Sequence, residues 1–350
     1  MSTGHIDKKR KRTSLGQQSH DGASTSTEKP HSTCIRSPSC WFEDGNIVIR
    51  AENTLFRVHK SILSIQSTVL CDTFSVPQPM VHDPESESEG CLVLEFNDDS
   101  SADWTHVLEL IYYGLQLSQA HESPSFSAIS AMIRLGHKYD FQALLSEGIK
   151  RFGNAFPCHL DRYTAAPCKD NDDVTIFGES TSLFDAINLA HKMHLERSLP
   201  ALYATAICHP DFPLILFTGT TSNDGNISRI SPDLVQTLIL ARDRFYVALK
   251  DSSLSWLFSG AIPSPSPACL NNRACKNARL KLVEEVFTPL PKCAYLLQRF
   301  DRAKLAKGFC TTCTGVAERL FDTARRHAWS QVPQMFGLPP WAELKDLNFD

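Results

Sequence analysis

Apolar runs of β type mark the first ordered part of the chain. Residues 47–49 (IVI) and 55–58 (LFRV) are two such runs, and residues 51–53 supply a turn between them, so the pattern predicts a hairpin. A helix of about one turn is predicted after His59, and Ser67 is predicted to cap a second short helix. The pattern therefore places a hairpin directly before a helix pair.

A third strand and three amphipathic helices follow the helix pair. Residues 91–96 alternate in the manner of a strand. Ser100 is predicted to start one helix, Phe126 marks the next, and Asp140 is predicted to cap a third. Within each helix the apolar residues recur at helical spacing, which indicates one buried face.

Composition divides the chain into four parts. Residues 1–39 are polar and bury too little apolar area to offset their ordering entropy, so we predict a disordered tail. Residues 40–153 carry the hairpin, strand and helices described above. Residues 154–180, with two prolines and a run of Asp and Asn, are predicted to be a linker. Residues 181–350 are predicted to be a mostly helical C-terminal domain.

Charge and hydropathy exclude several classes of function. The 350 residues carry a formal net charge of −4, which argues against a chain that binds nucleic acid directly through its overall charge. The longest apolar run, near residues 212–217, is far too short to cross a membrane. The N-terminus has no apolar stretch behind its charges, so we predict an intracellular protein without a secretory signal.

A run of five basic residues lies within the N-terminal tail. Such a run is typical of a nuclear import signal, and it also occurs in tails that only increase solubility. The sequence therefore allows a nuclear location and otherwise indicates the cytoplasm. The residues of the run are Lys8, Lys9, Arg10, Lys11 and Arg12.

Motifs of catalysis and phosphate binding are absent from the sequence. It contains no GxSxG, no P-loop, no GxGxxG and no HExxH. We therefore predict that the protein is not an enzyme.

Four of the twelve cysteines have a spacing that suits a metal. Cys310 and Cys313 form a CxxC, and Cys269 lies six positions before Cys275. Thiolates at short spacing can surround one tetrahedral Zn²⁺, so the sequence predicts a structural zinc site. Free thiols and a redox-active CxxC are the alternatives, although no βαβ pattern accompanies the motif. The reserve ligands are Cys293 and His327.

Several segments, taken in order, resemble one known domain. The ordered set resembles the BTB/POZ domain, in the variant common in fungi, and the cysteine positions also resemble those of fungal BTB proteins. The segments are the strand at 46–50, LFRVHKSILS at 55–64, STVLCDTF at 67–74, CLVLEF at 91–96, LELIYYG at 108–114, LPALY at 199–203 and FGLPPW at 336–341.

The resemblance implies an α+β fold, with a short mixed sheet flanked by helices before the helical C-terminal domain. It also implies a protein–protein interaction module that pairs with itself or docks on partners, and we expect a homodimer that acts as a scaffold or adaptor. Two alternatives are a substrate adaptor of a cullin-type ubiquitin ligase and a nuclear transcriptional co-regulator without its own DNA-binding domain.

Three residues are candidates for partner binding by the same resemblance. In many BTB transcription factors an Asp in the first strand and a basic residue after a His form a charged pocket. Asn46 and Lys60 occupy these positions here, so the basic half is present and the acidic half is replaced, although Asp44 is near. His59 is predicted to be hydrogen-bonded at a helix start. Residues 75–85 (SVPQPMVHDPE) lack the hydrophobic-x-Glu motif of cullin adaptors.

Overall fold

The fold consists of a small mixed sheet covered by helices, followed by a helical region, which confirms the predicted α+β class. A computed structural model describes residues 34–76, 87–119, 125–163, 183–221, 225–261 and 268–347. The strands of the sheet are β1 (Ile35–Trp41), β2 (Ile47–Ala51), β3 (Thr54–Val58), β4 (Glu87–Ser88) and β5 (Cys91–Glu95).

The predicted hairpin is the centre of the sheet. Strands β2 and β3 pair antiparallel, with Ile47 opposite Val58 and Ile49 opposite Phe56, and all four side chains are fully buried. Strand β5 lies parallel to β2, and the order across the sheet is β1-β3-β2-β5-β4. The parallel arrangement is possible because β3 returns the chain to the end of the sheet where β2 begins, so that β5 can start at that end after the helix pair.

Strand β1 was not expected from the sequence. Residues 35–39 fall in the segment predicted to be a disordered tail, yet they form most of this strand. The strand runs parallel to β3, with Ile35 opposite Thr54, and its residue Cys40 is buried in the core below. Residues 1–33, including the basic run at 8–12, lie outside the described residues, so the tail prediction concerns that segment alone.

Five helices cover the sheet. Ser67 caps α2 as predicted, because its Oγ accepts from the N–H of Leu70 at 3.0 Å. The same hydroxyl donates to the carbonyl oxygen of Tyr139 at 2.5 Å, which ties the helix pair to the end of α4. The helices are α1 (Lys60–Gln66), α2 (Thr68–Ser75), α3 (Ser101–Gln119), α4 (Phe126–Lys138) and α5 (Gln142–Ala155).

Asp140 does not cap α5, so that prediction was wrong. The N-cap residue is Phe141, and Asp140 adopts a left-handed backbone conformation with φ of 57° in the turn before it. The carboxylate of Asp140 accepts hydrogen bonds from Thr68 and Gln142 instead. The short polar side chain of Asp tolerates this conformation better than most residues, which explains its place in the turn.

Among the described residues after α5, the regular structure consists of helices and one short hairpin. Ser231 caps α10 as its Ser-Pro-Asp sequence indicates, with its Oγ accepting from the N–H of Leu234. The elements are α6 (Leu160–Tyr163), α7 (Leu183–Lys192), α8 (Leu199–Cys208), α9 (Phe212–Thr218), β6 (Thr220–Thr221), β7 (Ile227–Ser228), α10 (Pro232–Ala248), α11 (Asn272–Phe287), α12 (Arg302–Leu305) and α13 (Thr311–Met335), with short 3₁₀ or π turns at Glu196–Ser198, Leu249–Ser253, Ser255–Leu257 and Cys293–Leu296.

Helix α4 contributes to two hydrophobic cores. Ala131 and Leu135 pack into the core under the sheet. Ile129 and Ile133, on the opposite side of the helix, pack into the core of the helical region. Because both sides of α4 are buried, this helix belongs to the core of the sheet domain and also to the core of the helical region.

The beginning of the predicted linker also belongs to the second core. Phe156 and the residues Leu160 and Tyr163 of α6 are buried there, although the sequence assigns residues 154–180 to a linker. Their spacing of i, i+4 and i+7 is that of one helix face, so the sequence held a signal that the linker prediction missed. Residues 164–182 lie outside the described residues.

We expect Gly136→Ala to destabilise the fold. A Cβ at this position would lie 3.0 Å from the backbone nitrogen and 3.1 Å from the Cα of Leu145 in α5, so the two helices would have to separate. We expect a loss of about 1–2 kcal/mol in the free energy of unfolding, measured by urea denaturation. This would outweigh the higher helix propensity of Ala.

Gly153→Ala is the matched control, because a Cβ there meets no atom within 4 Å. It should raise the free energy of unfolding by about 0.5–1 kcal/mol. Equal effects of the two substitutions would contradict a close contact at Gly136.

Candidate interaction surface and cysteine site

The three predicted interaction residues meet at the start of α1. The Oδ1 of Asn46 accepts from the backbone N–H of Lys60 at 2.9 Å and so satisfies a free donor of the helix. The backbone N–H of His59 donates to the hydroxyl of Tyr112 at 2.9 Å, and its Nδ1 lies 3.2 Å from the same oxygen. Burial raises the pKa of Tyr112, and the N–H of His59 opposes this effect.

The acidic partner of this group is Asp44. Its Oδ1 lies 3.2 Å from the Nε2 of His59, and its side chain is 86% exposed. The Oδ1 of Asn46 is occupied by the backbone of α1, so this side chain has a structural role here. These contacts indicate that His59 orients the helix start.

An exposed apolar surface lies at the junction of α1 and α2. Ile65 is 81% exposed near the end of α1, and Val69 is 40% exposed in the first turn of α2. Only Ser67, which is buried, and its two neighbours separate them. Neither residue was predicted from the sequence, although an Ile on the polar side of a short helix is a signal for such a surface. Other exposed apolar residues in this part are Ile35 and Val76.

This part of the chain consists of a hairpin, a helix pair, a strand parallel to the first strand of the hairpin, and three helices. A family model of the BTB/POZ domain matches residues 42–150. This part of the chain is a BTB/POZ domain. The BTB domain is a protein–protein interaction module, so this surface belongs to a domain that binds other proteins.

No curated protein matches the chain at a significant level. The family match covers only the BTB domain, so the description of the helical region comes from its own structure.

No helix in the described parts of the chain combines the length and apolarity that crossing a bilayer requires.

Four cysteines converge where two helices begin. Cys269 precedes α11 and Cys275 lies in its first turn, while Cys310 caps α13 and Cys313 lies in its first turn. Their sulfur atoms all lie within 4.8 Å of one another. The structure therefore joins the two predicted cysteine pairs, although 35 positions separate Cys275 from Cys310.

The geometry of the cysteine cluster suits a tetrahedral metal ion. The Sγ atoms of Cys269 and Cys313 are 3.6 Å apart. A Zn–S distance of about 2.3 Å in a regular tetrahedron requires sulfur atoms about 3.8 Å apart, so four thiolates at these distances can hold one ion. Cys275 and Cys313 are buried and the other two are half-buried. The reserve ligands Cys293 and His327 lie outside the cluster.

The surroundings of Cys310 favour its thiolate. Burial raises the pKa of this thiol, but N–H groups of Cys313 and Leu270 and the neighbouring thiols outweigh burial and lower the pKa to about 6. Burial raises the pKa of Cys275, whose sulfur accepts from the N–H of Cys310 at 3.2 Å. A thiolate at the N-terminus of a helix is stabilised by the helix dipole and is ready to bind a cation.

In metal-free protein we expect Cys310 to react with iodoacetamide before Cys275. Because its pKa is about 6, its alkylation rate should rise through pH 6 and level off at higher pH, while the more protonated Cys275 stays slow. Mass spectrometry of digested samples measures the rate at each cysteine. A midpoint near the ordinary thiol value of about 8.5 would contradict this account.

Proposed function

We propose that the protein acts by binding and not by catalysis, as a self-associating scaffold or adaptor that pairs through its BTB domain. The observation that carries the proposal is the apolar surface formed by Ile65 and Val69 on a domain built for protein interaction. Burying one Ile side chain stabilises an interface by about 1.5–3 kcal/mol. A second copy of the chain would cover the same residues on both partners in a two-fold symmetric contact.

The arrangement of the sheet favours pairing through helices. One edge of the sheet is β1, in which Pro38 has no N–H to offer a partner strand and the carbonyl oxygen of Ser39 already accepts from the hydroxyl of Tyr113 at 2.7 Å. The other edge is the two-residue strand β4, which offers few backbone groups to a partner strand. The helix junction is therefore the better candidate for the contact between copies.

Two other roles belong to the same domain class. A cullin adaptor would dock the BTB domain on a ubiquitin ligase, and a nuclear co-regulator would depend on import through residues 8–12. Most of the segment that could carry a cullin motif and all of residues 8–12 lie outside the described residues. No contact among the described residues favours either role over self-association. The proposal of self-association holds for a location in the nucleus and for one in the cytoplasm.

We expect the full chain to have twice the chain mass of 39.1 kDa in multi-angle light scattering. Ile65→Asp should weaken the dimer by at least about 100-fold, because it would bury a charge at the centre of the contact. The charge costs little in the monomer because residue 65 is 81% exposed there.

Val247→Asp serves as the control, since Val247 is 61% exposed on α10, outside the BTB domain. This variant should remain dimeric. A monomeric wild-type chain at all concentrations would overturn the homodimer.

We also propose that Cys269, Cys275, Cys310 and Cys313 bind one structural Zn²⁺. The support is the convergence of four sulfur atoms at distances close to those of a tetrahedral site. Four cysteine ligands leave no open position for water, so the ion would connect the starts of α11 and α13 and take part in no reaction.

Purified protein should contain about one zinc ion per chain, measured by plasma mass spectrometry. Cys269→Ser with Cys313→Ser should remove the ion and lower the free energy of unfolding by several kcal/mol, because metal binding contributes to folding. The control is the double variant Cys71→Ser with Cys208→Ser. It should keep both the zinc ion and the free energy of unfolding of the wild type. Equal metal content in the two double variants would rule out this ligand set.

A further inference from the structure

The region around the cysteine cluster has a charge opposite to that of the whole chain. Residues 269–310 contain nine Lys and Arg residues and three Asp and Glu residues, whereas the full chain has a net charge of −4. The local excess of positive charge lies mainly on α11 and on the segment that leads into α13. A local field of this kind attracts a negatively charged partner even when the protein is acidic overall.

The segment that precedes α13 adds one exposed cation beside α11. Arg273, Lys276 and Lys281 are exposed on α11. Gly308 lies so close to this helix that a Cβ on it would be 3.1 Å from the Cβ of Ala278, which places the exposed Lys307 beside α11.

These four cations have no ion pair in the described part of the chain. The salt bridges recorded for this region join Arg302 to Glu318 at 2.6 Å and Lys304 to Asp301 at 3.8 Å. Arg273, Lys276, Lys281 and Lys307 form none with any described carboxylate, so their charges face solvent. Charges that are not neutralised within the chain are available to a partner.

Two exposed leucines lie among these charges. Leu280 is 55% exposed and lies one turn after Lys276 on α11, and Leu270 is 74% exposed two positions before the start of the same helix. We call the five residues Leu270, Arg273, Lys276, Leu280 and Lys281 the basic leucine surface. It combines apolar contacts with a field that selects for negative charge.

We propose that the basic leucine surface binds an acidic peptide segment of a partner protein, one that carries aliphatic side chains between its carboxylates. The partner's carboxylates would face the lysines and arginine, and its aliphatic side chains would cover Leu270 and Leu280. This inference rests on the proposed adaptor function and names the chemistry of its partner. It depends on neither self-association through Ile65 nor the metal.

The composition of the surface favours a peptide over nucleic acid. Single-stranded nucleic acids are bound through exposed aromatic side chains, and between residues 268 and 310 no aromatic side chain is exposed. Exposed aliphatic residues have no counterpart in a phosphate backbone, whereas they match the side chains of a peptide.

The test is fluorescence anisotropy with the full chain and a fluorescein-labelled peptide of repeated Asp-Leu-Glu triplets. We expect saturable binding that weakens at least about fivefold when NaCl is raised from about 0.05 M to about 0.5 M, because salt screens exposed charges. Lys276→Glu with Lys281→Glu should weaken binding at least about tenfold. Leu280→Ser should weaken it by a smaller factor.

Lys150→Glu with Lys192→Glu is the matched control, because it reverses two exposed charges on α5 and α7. Its affinity should stay within about twofold of the wild type. Absence of saturable binding would overturn the proposal. Equal affinity for an Asp-Ser-Glu peptide, or tighter binding of a labelled DNA duplex, would also overturn it. If the wild-type chain is monomeric and still binds the peptide, self-association fails and this inference stands.

Discussion

The close packing of α4 against α5 is the contact on which the rest of the structure depends. It is possible because Gly136 lacks a Cβ where the backbone of Leu145 approaches. On one side of α4, Ala131 and Leu135 complete the core under the sheet, and on the other side Ile129 and Ile133 complete the core of the helical region. Because α4 belongs to both cores, the BTB domain is fixed relative to the helices that follow it.

Helix α13 connects the two ends of the helical region. Its 25 residues span about 37 Å, with the cysteine cluster at its start and Trp329 in its last third. Trp329 packs on Tyr163 with ring centroids 4.8 Å apart, and its indole N–H donates to the carbonyl oxygen of Cys158 at 3.0 Å. A metal at the start of α13 would therefore stabilise a helix that also packs against the segment leaving the BTB domain.

The two proposed binding surfaces differ in physical character and so suit different partners. The surface at Ile65 and Val69 is apolar and lies at a junction of two short helices, which suits a second copy presenting the same residues. The basic leucine surface carries unpaired cations around two leucines, which suits a partner of opposite charge. An adaptor needs two such distinct contacts, because one holds the assembly together and the other selects what it binds.

The sequence by itself determined the elements whose information is local. The hairpin at β2 and β3, the caps at Ser67 and Ser231 and the amphipathic helices follow from turn chemistry and hydrophobic period, and the CxxC ensures that Cys310 and Cys313 lie near each other. Tertiary structure decided what depends on distant partners. Strand β1 forms because β3 is beside it, and Asp140 turns toward Thr68. Cys275 meets Cys310 only because the starts of two helices pack together, and contacts between segments that are far apart in the chain are not encoded in local spacing.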